Sequence, residues 1–354
     1  MQENLSLEYH FALDGGTRIR TLLHASTVEV QLDGQAAMAM ALGMREGAVC
    51  RAAVMAWQPA DAAQRRWALL AALHAVFASD AAVVALELDF SDYPEALPAL
   101  LRQGLAVAAA NGTVQMPRTS LLQQPELWLH GSSSAAYPLD YVMSQGKRHP
   151  RRPPQTAGTV YQRFIPWLNQ WLSLRTLDAQ TDLEPFHRWM NHPRVAYFWE
   201  EQGDLDKHRA FIANALADPH VHPLVACLDG RPFAYYEAYW AKEDRIAPFY
   251  PVGDHDRGIH MLVGEDWARG PQYVAAWLPS LTHYLMLDDP RTQAVVCEPR
   301  ADNARMVGYL QQYGFAYLRQ FDFPHKRAAL LVLEREVHAQ GQWLAGPHGQ
   351  TVLA

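Results

Sequence analysis

Apolar and polar residues follow regular patterns in two parts of this chain, and a stretch without either pattern separates them. That stretch, GKRHPRRPPQTAG at residues 146–158, is basic and rich in proline, which is typical of a linker. Because 354 residues is long for one hydrophobic core, we expect two domains. The pattern predicts an N-terminal domain, a linker, a second domain and a loose Gly-rich tail, at 1–145, 146–170, 171–338 and 339–354.

The first part is predicted to be a smaller α/β domain. TVEVQL at 27–32 alternates apolar and polar residues, which predicts a strand with one buried face. Residues 62–79 repeat apolar side chains at helical spacing, and residues 82–90 form a mostly apolar strand. A short helix is predicted over 94–105.

The second part alternates helices and strands. Thr181 with Glu184 forms a capping box, which predicts a helix over 181–191. The later predicted elements are, in order, a helix over 204–218 capped by Asp204 or Asp206, a hairpin over 222–240 that turns at Asp229-Gly230, the strand GIHMLVG, a helix over 272–287 that contains Pro279, a strand over 292–299, a helix over 301–315 that ends at Gly314, and an antiparallel strand pair.

A faint internal repeat links the two parts. Helix, strand, helix, glycine and strand occur in this order at 62–113 and again at 272–323. A decayed duplication explains the repeat. Chance explains it equally well, because such αβα runs are common.

Composition narrows the classes of function. The formal net charge of −7 argues against nucleic acid as a partner, and no apolar run reaches the length of about 20 residues that a membrane helix needs. The opening MQENLSLEYH has no features of a signal peptide. Cys50, Cys227 and Cys297 lie far apart, which suits a reducing cytoplasm and gives no metal-binding spacing. We therefore expect a cytoplasmic protein without a metal.

The stretch DRGIHMLVGEDWARGPQY, residues 256–273, carries the clearest chemistry. A strand leads into Arg269-Gly270 at the point where a helix is predicted to begin. The N–H groups of a first helical turn and the helix dipole favour an anion, and a glycine lets a phosphate approach the backbone. On its own, such an Arg-Gly turn is also compatible with a simple turn.

The order of these elements, and four motifs, resemble the siderophore-biosynthesis branch of the GNAT acyltransferases, the N-hydroxylysine acetyltransferases and their relatives. The motifs are FHRWMNHPRVAYFWE (186–200), GRPFAYYEAYWAKEDRIAPFY (230–250), DRGIHMLVGEDWARG (256–270) and CEPRADNARMVGYLQQYGF (297–315). The resemblance implies an α/β (α+β) fold, with a complete GNAT domain in the C-terminal half and an N-terminal domain that is a candidate degenerate copy. It also implies transfer of an acyl group, acetyl above all, from acyl-CoA to an N-hydroxylated diamine or diamino acid such as N6-hydroxylysine, which forms a hydroxamate.

The resemblance also implies a binding site for acetyl-CoA or another acyl-CoA. The loop has one anchor glycine, Gly270, where other GNAT loops have more. Leu310 occupies the position of the tyrosine that acts as general acid in many GNAT enzymes, one residue after Tyr309. The basic run Lys147 to Arg152 is either a solvated linker or a contact for an anionic group such as the coenzyme A 3′-phosphate. The residues implied for acyl-CoA are Leu262, Val263, Trp267, Arg269, Gly270, Gln272, Tyr273, Asn303 and Arg305.

His260 is the candidate general base. It faces the opposite side of its strand from Ile259 and Met261, and a neutral imidazole accepts a proton near pH 7. A buried histidine that binds a backbone carbonyl is the structural alternative. Asp302 is the second candidate catalytic residue, because it could orient His260 or bind a substrate ammonium group, but it could equally be a helix N-terminal residue stabilised by the dipole.

Residues of two motifs are candidates for binding the acceptor. Pro193 is expected to end the preceding helix, so that the residues after it form a loop over the site. The acceptor candidates are His192, Arg194, Phe198, Trp199, Glu237, Tyr239 and Lys242. A hydrophobic plug explains the first four as well. Glu237, Lys242, Glu243 and Asp244 are candidates for recognising the amino and carboxylate groups of a dipolar substrate, but a solvated strand end explains Lys242 to Asp244 equally well.

Two other functions stay open at this stage. An aminoglycoside-type N-acetyltransferase shares the implied fold, but its polycationic substrate calls for a more acidic cleft. A coenzyme A-binding scaffold without activity would explain the reduced glycine loop and the missing tyrosine. No nucleic acid or membrane partner is expected, and the sequence leaves a homodimer open.

Overall fold

The computed structural model describes residues 6–110, 113–131 and 136–347, and its chain divides into two compact units. The first unit comprises residues 1–129, 164–169 and 342–354, and the second comprises 130–163 and 170–341. The predicted linker is therefore wrong as a linker, since 146–163 belongs to the second unit and contains strands. The end of the tail, 348–354, lies outside the described residues.

The first unit is built on an eight-stranded sheet with the order β1-β2-β3-β4-β5-β6-β8-β7. Its 18-residue helix α1 buries twelve side chains, as its apolar pattern predicted, and the Asp61 carboxylate caps it by accepting from the N–H of Gln64. The elements are β1 Leu7–Ala12, β2 Arg18–His24, β3 Thr27–Leu32, β4 Gln35–Glu46, β5 Val49–Trp57, α1 Ala62–Ser79, β6 Ala85–Asp89, α2 Leu97–Arg102, β7 Val107–Ala108, β8 Val114–Pro117 and α3 Arg118–Leu121.

The second unit has a two-stranded hairpin and a second eight-stranded sheet, with the order β11-β12-β13-β14-β15-β16-β18-β17. Its elements are β9 Tyr141–Ser144, β10 Lys147–Pro150, β11 Thr159–Ile165, β12 Gln170–Thr176, α4 Leu183–Met190, α5 Pro193–Trp199, α6 Leu205–Ala217, β13 Val221–Leu228, β14 Arg231–Trp240, β15 Arg257–Val263, α7 Pro271–Asp288, β16 Ala294–Cys297, α8 Ala304–Gln312, β17 Ala316–Asp322, β18 Arg327–Glu334 and α9 Arg335–Gln340.

The two sheets share one strand order. In each, the fifth and sixth strands are parallel and a long helix connects them, α1 in the first unit and α7 in the second. The remaining described pairs of strands are antiparallel. This agreement supports the duplication over chance as the origin of the faint repeat.

Two predictions about helix ends are wrong. Asp182, not Thr181, is the N-cap of α4, and the N–H and hydroxyl groups of Thr181 bind Asp178 instead. The stretch after Pro193 is the helix α5 rather than a loop, because proline is favoured at the first position of a helix, where its missing N–H costs nothing. Asp204 caps α6 as predicted.

In the described part of the chain, none of the helices combines the length and apolarity that crossing a bilayer requires. Within the same residues, no group of three or more His, Cys, Asp or Glu side chains could hold a metal ion.

Candidate active site

The parallel strands β15 and β16 separate soon after they begin to pair. Their registered pairs are Arg257↔Val295 and Gly258↔Val296, after which β15 runs on to Val263 while β16 ends at Cys297. A cavity of about 1220 Å³ is lined by residues on both sides of this gap. His260 and Glu298 each follow the last pair by two residues, so their side chains meet at the point where the strands part.

His260 lies between two carboxylates. Glu237 is its partner across the antiparallel β14–β15 pair, and Nδ1 of His260 lies 2.7 Å from Oε2 of Glu237. Nε2 of His260 lies 2.7 Å from Oε1 of Glu298. We call Glu237, His260 and Glu298 the triad. Since both ring nitrogens have a carboxylate partner, the imidazole is held in one orientation.

The triad holds its proton on the imidazole. Burial by itself would lower the pKa of His260, but the charges and hydrogen bonds of Glu298 and Glu237 outweigh burial and raise this pKa to about 10. Burial by itself would raise the pKa of Glu298, but His260 and Lys326 lower it to about 2. At neutral pH His260 is therefore an imidazolium beside an ionised Glu298, with Glu237 hydrogen-bonded to its other ring nitrogen. The prediction of a neutral imidazole at His260 is wrong for this geometry.

Tyr239 packs against the triad from one side. Its ring lies 4.8 Å from the His260 ring, and its hydroxyl donates to Oε2 of Glu298 at 2.8 Å. Gly258 makes room for this ring, since a Cβ at Gly258 would lie 1.9 Å from a ring carbon of Tyr239. On the other carboxylate, the buried Tyr235 hydroxyl donates to Glu237 at 3.0 Å.

The N-terminus of α7 forms another part of the cavity wall. Gly270 is its N-cap, with φ of 118° and no capping side chain, and both Gly270 and Pro271 line the cavity. The positive end of an 18-residue helix dipole therefore faces the cavity, and the first turn of this helix contains no acidic residue. Arg269 lies beside it, 3.5 Å from Asp266 in an exposed pair. This wall suits an anionic group.

Eleven of the predicted site residues line the cavity. They are Arg194, Phe198, Trp199, Glu237, His260, Leu262, Val263, Arg269, Gly270, Asn303 and Arg305. The cavity lining does not include His192, Tyr239, Lys242, Trp267, Gln272, Tyr273 or Asp302.

Three of the predicted site residues, Arg194, Lys242 and Trp267, contact other groups of the protein. Arg194 donates to the carbonyl groups of Val263 and Gly264, at 2.8 and 3.3 Å, and so supports the end of β15 near α7. Lys242 pairs with Asp254 at 3.3 Å. The Trp267 ring stacks under the guanidinium of Arg231 at 4.2 Å.

Asp302 does not orient His260, and that prediction is wrong. The Asp302 carboxylate accepts two hydrogen bonds from Arg300, at 3.1 and 2.8 Å, and half of its side chain is exposed. The physical reason is that the chain turns at Arg300, where an isolated bridge to Ala328 forms, and the adjacent cation neutralises the carboxylate. The orienting carboxylates are Glu237 and Glu298.

Sequence reasoning missed Glu298 altogether and assigned Glu237 to substrate binding. The available signal was a glutamate directly after the apolar run VVC, since a charge at the end of a buried strand needs a partner. It also missed Arg245 and Lys326, which line the cavity together with Asp244, a residue that the sequence had offered as a contact for a dipolar substrate.

Several known proteins are similar to this chain. Residues 178–323 match the family described as acetyltransferase (GNAT) domain. The chain is 44% identical over 221 residues to the N(6)-hydroxylysine O-acetyltransferase of Escherichia coli, covering 62% of this chain and 69% of that protein. It is 45% identical over 204 residues to the N(5)-hydroxyornithine:cis-anhydromevalonyl coenzyme A-N(5)-transacylase of Beauveria bassiana, covering 56% of this chain and 45% of that protein. A crystal structure of an uncharacterised protein from Bacillus halodurans aligns with a TM-score of 0.51 at 28% identity, covering 54% of this chain and 98% of that one.

Proposed function

The chain belongs to the GNAT acetyltransferase family, and we propose that it transfers an acyl group, acetyl above all, from acyl-coenzyme A to the nitrogen of an N-hydroxylated diamine or diamino acid. The product is a hydroxamate of the kind that siderophores use to bind iron. The observation that carries this proposal is the triad, which lies at the opening between β15 and β16 and faces a cavity with an anion-binding wall.

The acyl-CoA fits the α7 side of the cavity. Arg269, Gly270 and the positive end of α7 bind the diphosphate, and Asn303 and Arg305 also line the cavity. Beyond Gly258, the backbone groups of alternate β15 residues face the gap and are available for hydrogen bonds to the pantetheine amides, and Leu262 and Val263 line the cavity there. This arrangement brings the thioester carbonyl toward His260.

The triad takes part by accepting one proton. The hydroxylamine nitrogen is less basic than an alkylamine, so it is neutral at pH 7 and attacks the thioester carbonyl carbon. A C–N bond forms, the adduct nitrogen gives its proton to Glu237, and the C–S bond then breaks. The thiolate takes up a proton from water and Glu237 releases its proton to water, which leaves a hydroxamate and free coenzyme A. His260 holds the cavity-facing Glu237 in its orientation, and Glu298 in turn holds His260.

A thiol-release assay with acetyl-CoA tests this proposal. The acceptors are N6-hydroxylysine, plain lysine and an aminoglycoside, and the product is then mixed with ferric iron. We expect release with the hydroxylamine alone and a coloured ferric complex, because an N-acyl product is a hydroxamate whereas an O-acyl product is not. Turnover of lysine in preference to its N-hydroxy form would contradict the proposal. Tight acyl-CoA binding without any turnover would favour a scaffold.

A further inference from the structure

One part of the cavity wall lies away from both the triad and α7. It is the irregular connection from Ala241 to Asp256 between β14 and β15, and two adjacent residues of opposite charge on it, Asp244 and Arg245, line the cavity. Neither residue has a role in the transfer step described above. Since both side chains are charged and lie on the cavity wall, they are candidates for binding a charged group of a substrate.

A hairpin holds this connection in place. The Lys147 ammonium of β10 donates to the backbone carbonyls of Glu243 and Asp244, at 2.6 and 2.9 Å. Arg152 donates twice to the Glu243 carboxylate, at 2.6 Å each, and both side chains are only 5% exposed. Lys147 and Arg152 are therefore neither solvated linker residues nor free phosphate contacts. These two cations fix the backbone that carries Asp244 and Arg245.

The Arg245 guanidinium is left with donors for another partner. Its nearest carboxylate oxygen is Oε1 of Glu298 at 3.7 Å, which is longer than a hydrogen bond. That same oxygen is already bound by Nε2 of His260 at 2.7 Å. The guanidinium packs on the Phe323 ring, 5.2 Å from its centroid, and its side chain is 47% exposed. A flat cation placed in this way suits a carboxylate, which it binds through two parallel hydrogen bonds.

Asp244 offers the complementary charge. One oxygen of its carboxylate accepts from the N–H of Ile246 at 2.9 Å, and its side chain lies beside that of Arg245 on the cavity wall. Burial raises the pKa of Asp244, although His260 opposes this effect. An ammonium group bound there would relieve the cost of burying the carboxylate.

We propose that Arg245 and Asp244 bind the α-carboxylate and α-ammonium groups of the acceptor, so that the enzyme selects an N-hydroxylated diamino acid over the corresponding diamine. This inference rests on the proposed function. Arg245 and His260 approach the same oxygen of Glu298, so the two side chains lie close together. An acceptor whose charged end is bound at Arg245 therefore has its hydroxylamine end at the triad. A diamine has an ammonium group but no carboxylate, so it leaves Arg245 without a partner inside the cavity.

The test compares two acceptors that differ only in the carboxylate, N6-hydroxylysine and N-hydroxycadaverine. We expect the wild type to favour the amino acid in kcat/KM by about ten- to a hundred-fold, the usual worth of one charged hydrogen-bonded pair. Arg245→Gln should lose about that factor with N6-hydroxylysine, mostly through KM, and little or nothing with N-hydroxycadaverine. Arg209→Gln is the matched control, since Arg209 lies on α6, is exposed and pairs with Asp206 on the same helix.

The outcomes separate this inference from the proposed function. Equal kcat/KM for the two acceptors in the wild type, or an equal loss for both in Arg245→Gln, would overturn the inference and leave the proposed function standing. The second result would mean that Arg245 acts through Glu298. A wild type that acylates neither hydroxylamine would overturn both. Melting temperatures of both variants show whether a loss of activity reflects unfolding.

Discussion

The two sheets of this protein have the same strand order and differ where their parallel strands meet. In the first unit β5 and β6 pair at five positions, from Val49↔Ala85 to Ala53↔Asp89. In the second unit β15 and β16 pair at two positions and then separate. A cavity of about 400 Å³ borders β6, whereas about 1220 Å³ opens at the second gap. The site therefore forms where the parallel strands β15 and β16 stop pairing.

The helix that follows each fifth strand shows a second difference. Asp61 caps α1 with a carboxylate, while α7 begins at Gly270 with no side chain. A carboxylate at the helix N-terminus satisfies the dipole and repels a phosphate, whereas a glycine leaves both the charge and the space available. The first unit therefore has the fold without the anion site.

A third difference lies between the second and third strands. In the first unit β2 and β3 are joined directly, whereas in the second unit α4, α5 and α6 are inserted between β12 and β13. These helices supply the Arg194, Phe198 and Trp199 side chains of the cavity wall. Removal of such an insertion from one copy would remove one wall of a cleft.

The largest effect is expected at Glu237. Glu237→Gln removes the carboxylate that accepts the proton, so turnover per folded molecule should fall by about 10²–10⁴-fold, the usual worth of general acid–base catalysis. The control in the other sheet is Glu87→Gln on β6, where the carboxylate binds Thr113 at 2.8 Å. The control should keep wild-type turnover. A Glu237→Gln enzyme with nearly normal turnover would mean that the triad does not carry the proton.

The next effect concerns the helix N-termini. Gly270→Asp gives α7 the kind of cap that α1 has, so acetyl-CoA affinity should weaken by about tenfold or more, which corresponds to about 1.4 kcal/mol. Gly270→Ala separates the charge from the strain at φ of 118°. Calorimetric titration measures both variants. An equal loss of affinity in both would show that backbone geometry, not charge, decides binding.

Gly258→Ala should disturb the triad indirectly. The added methyl group collides with the Tyr239 ring, whose hydroxyl holds Glu298, so turnover should fall by roughly tenfold with acetyl-CoA affinity retained. Gly308→Ala on α8 is the control, because a Cβ there meets nothing within 4 Å. Steady-state kinetics and the melting temperature of each variant check this prediction.

The stability contribution of His260 should depend on pH. Its pKa is raised from 6.5 to about 10 on folding, so its stabilisation is complete below pH 6.5 and declines as pH rises toward 10. The lowered pKa of Glu298 adds stabilisation that is complete above pH 4.5 and declines as pH falls toward 2. The melting temperature of the wild type should therefore exceed that of His260→Gln most between pH 4.5 and 6.5. A difference that grows from pH 7 to pH 10 would contradict this sign.

The smallest effect is expected in the first unit. Asp61→Ala removes the cap of α1 and should cost about 1 kcal/mol of unfolding free energy. Neither turnover nor the stoichiometry of acetyl-CoA binding should change. A second equivalent of bound acetyl-CoA in this variant would mean that the first unit keeps a hidden anion site.

The sequence was most informative where a pattern is local. Residues 62–79 form α1 as the helical spacing predicted, the hairpin turns at Asp229-Gly230, and Gly314 follows α8 in a left-handed conformation. The GNAT order of the second unit was also predicted, because each element has its own periodicity. The cytoplasmic location, the homodimer and the roles of the site residues stay predictions.

The sequence was least informative where a residue depends on a distant partner. Glu298 lies 38 residues from His260. The two side chains meet because β15 and β16 are parallel and pair at only two positions before they separate. The basic run near Lys147 was read as a linker because its partner, the connection at Glu243, lies almost a hundred residues further along. Pairing across such distances cannot be obtained from one sequence pattern.

The most direct test of the account is the protonation of His260, measured by ¹⁵N NMR of histidine-labelled protein with His260→Gln to assign the signal. Both ring nitrogens of His260 should carry protons at pH 8, and the ring should lose one proton only near pH 10. A His260 ring that is neutral at pH 8, with a midpoint near the ordinary value of 6.5, would contradict the claim that two carboxylates hold an imidazolium at the gap between the strands.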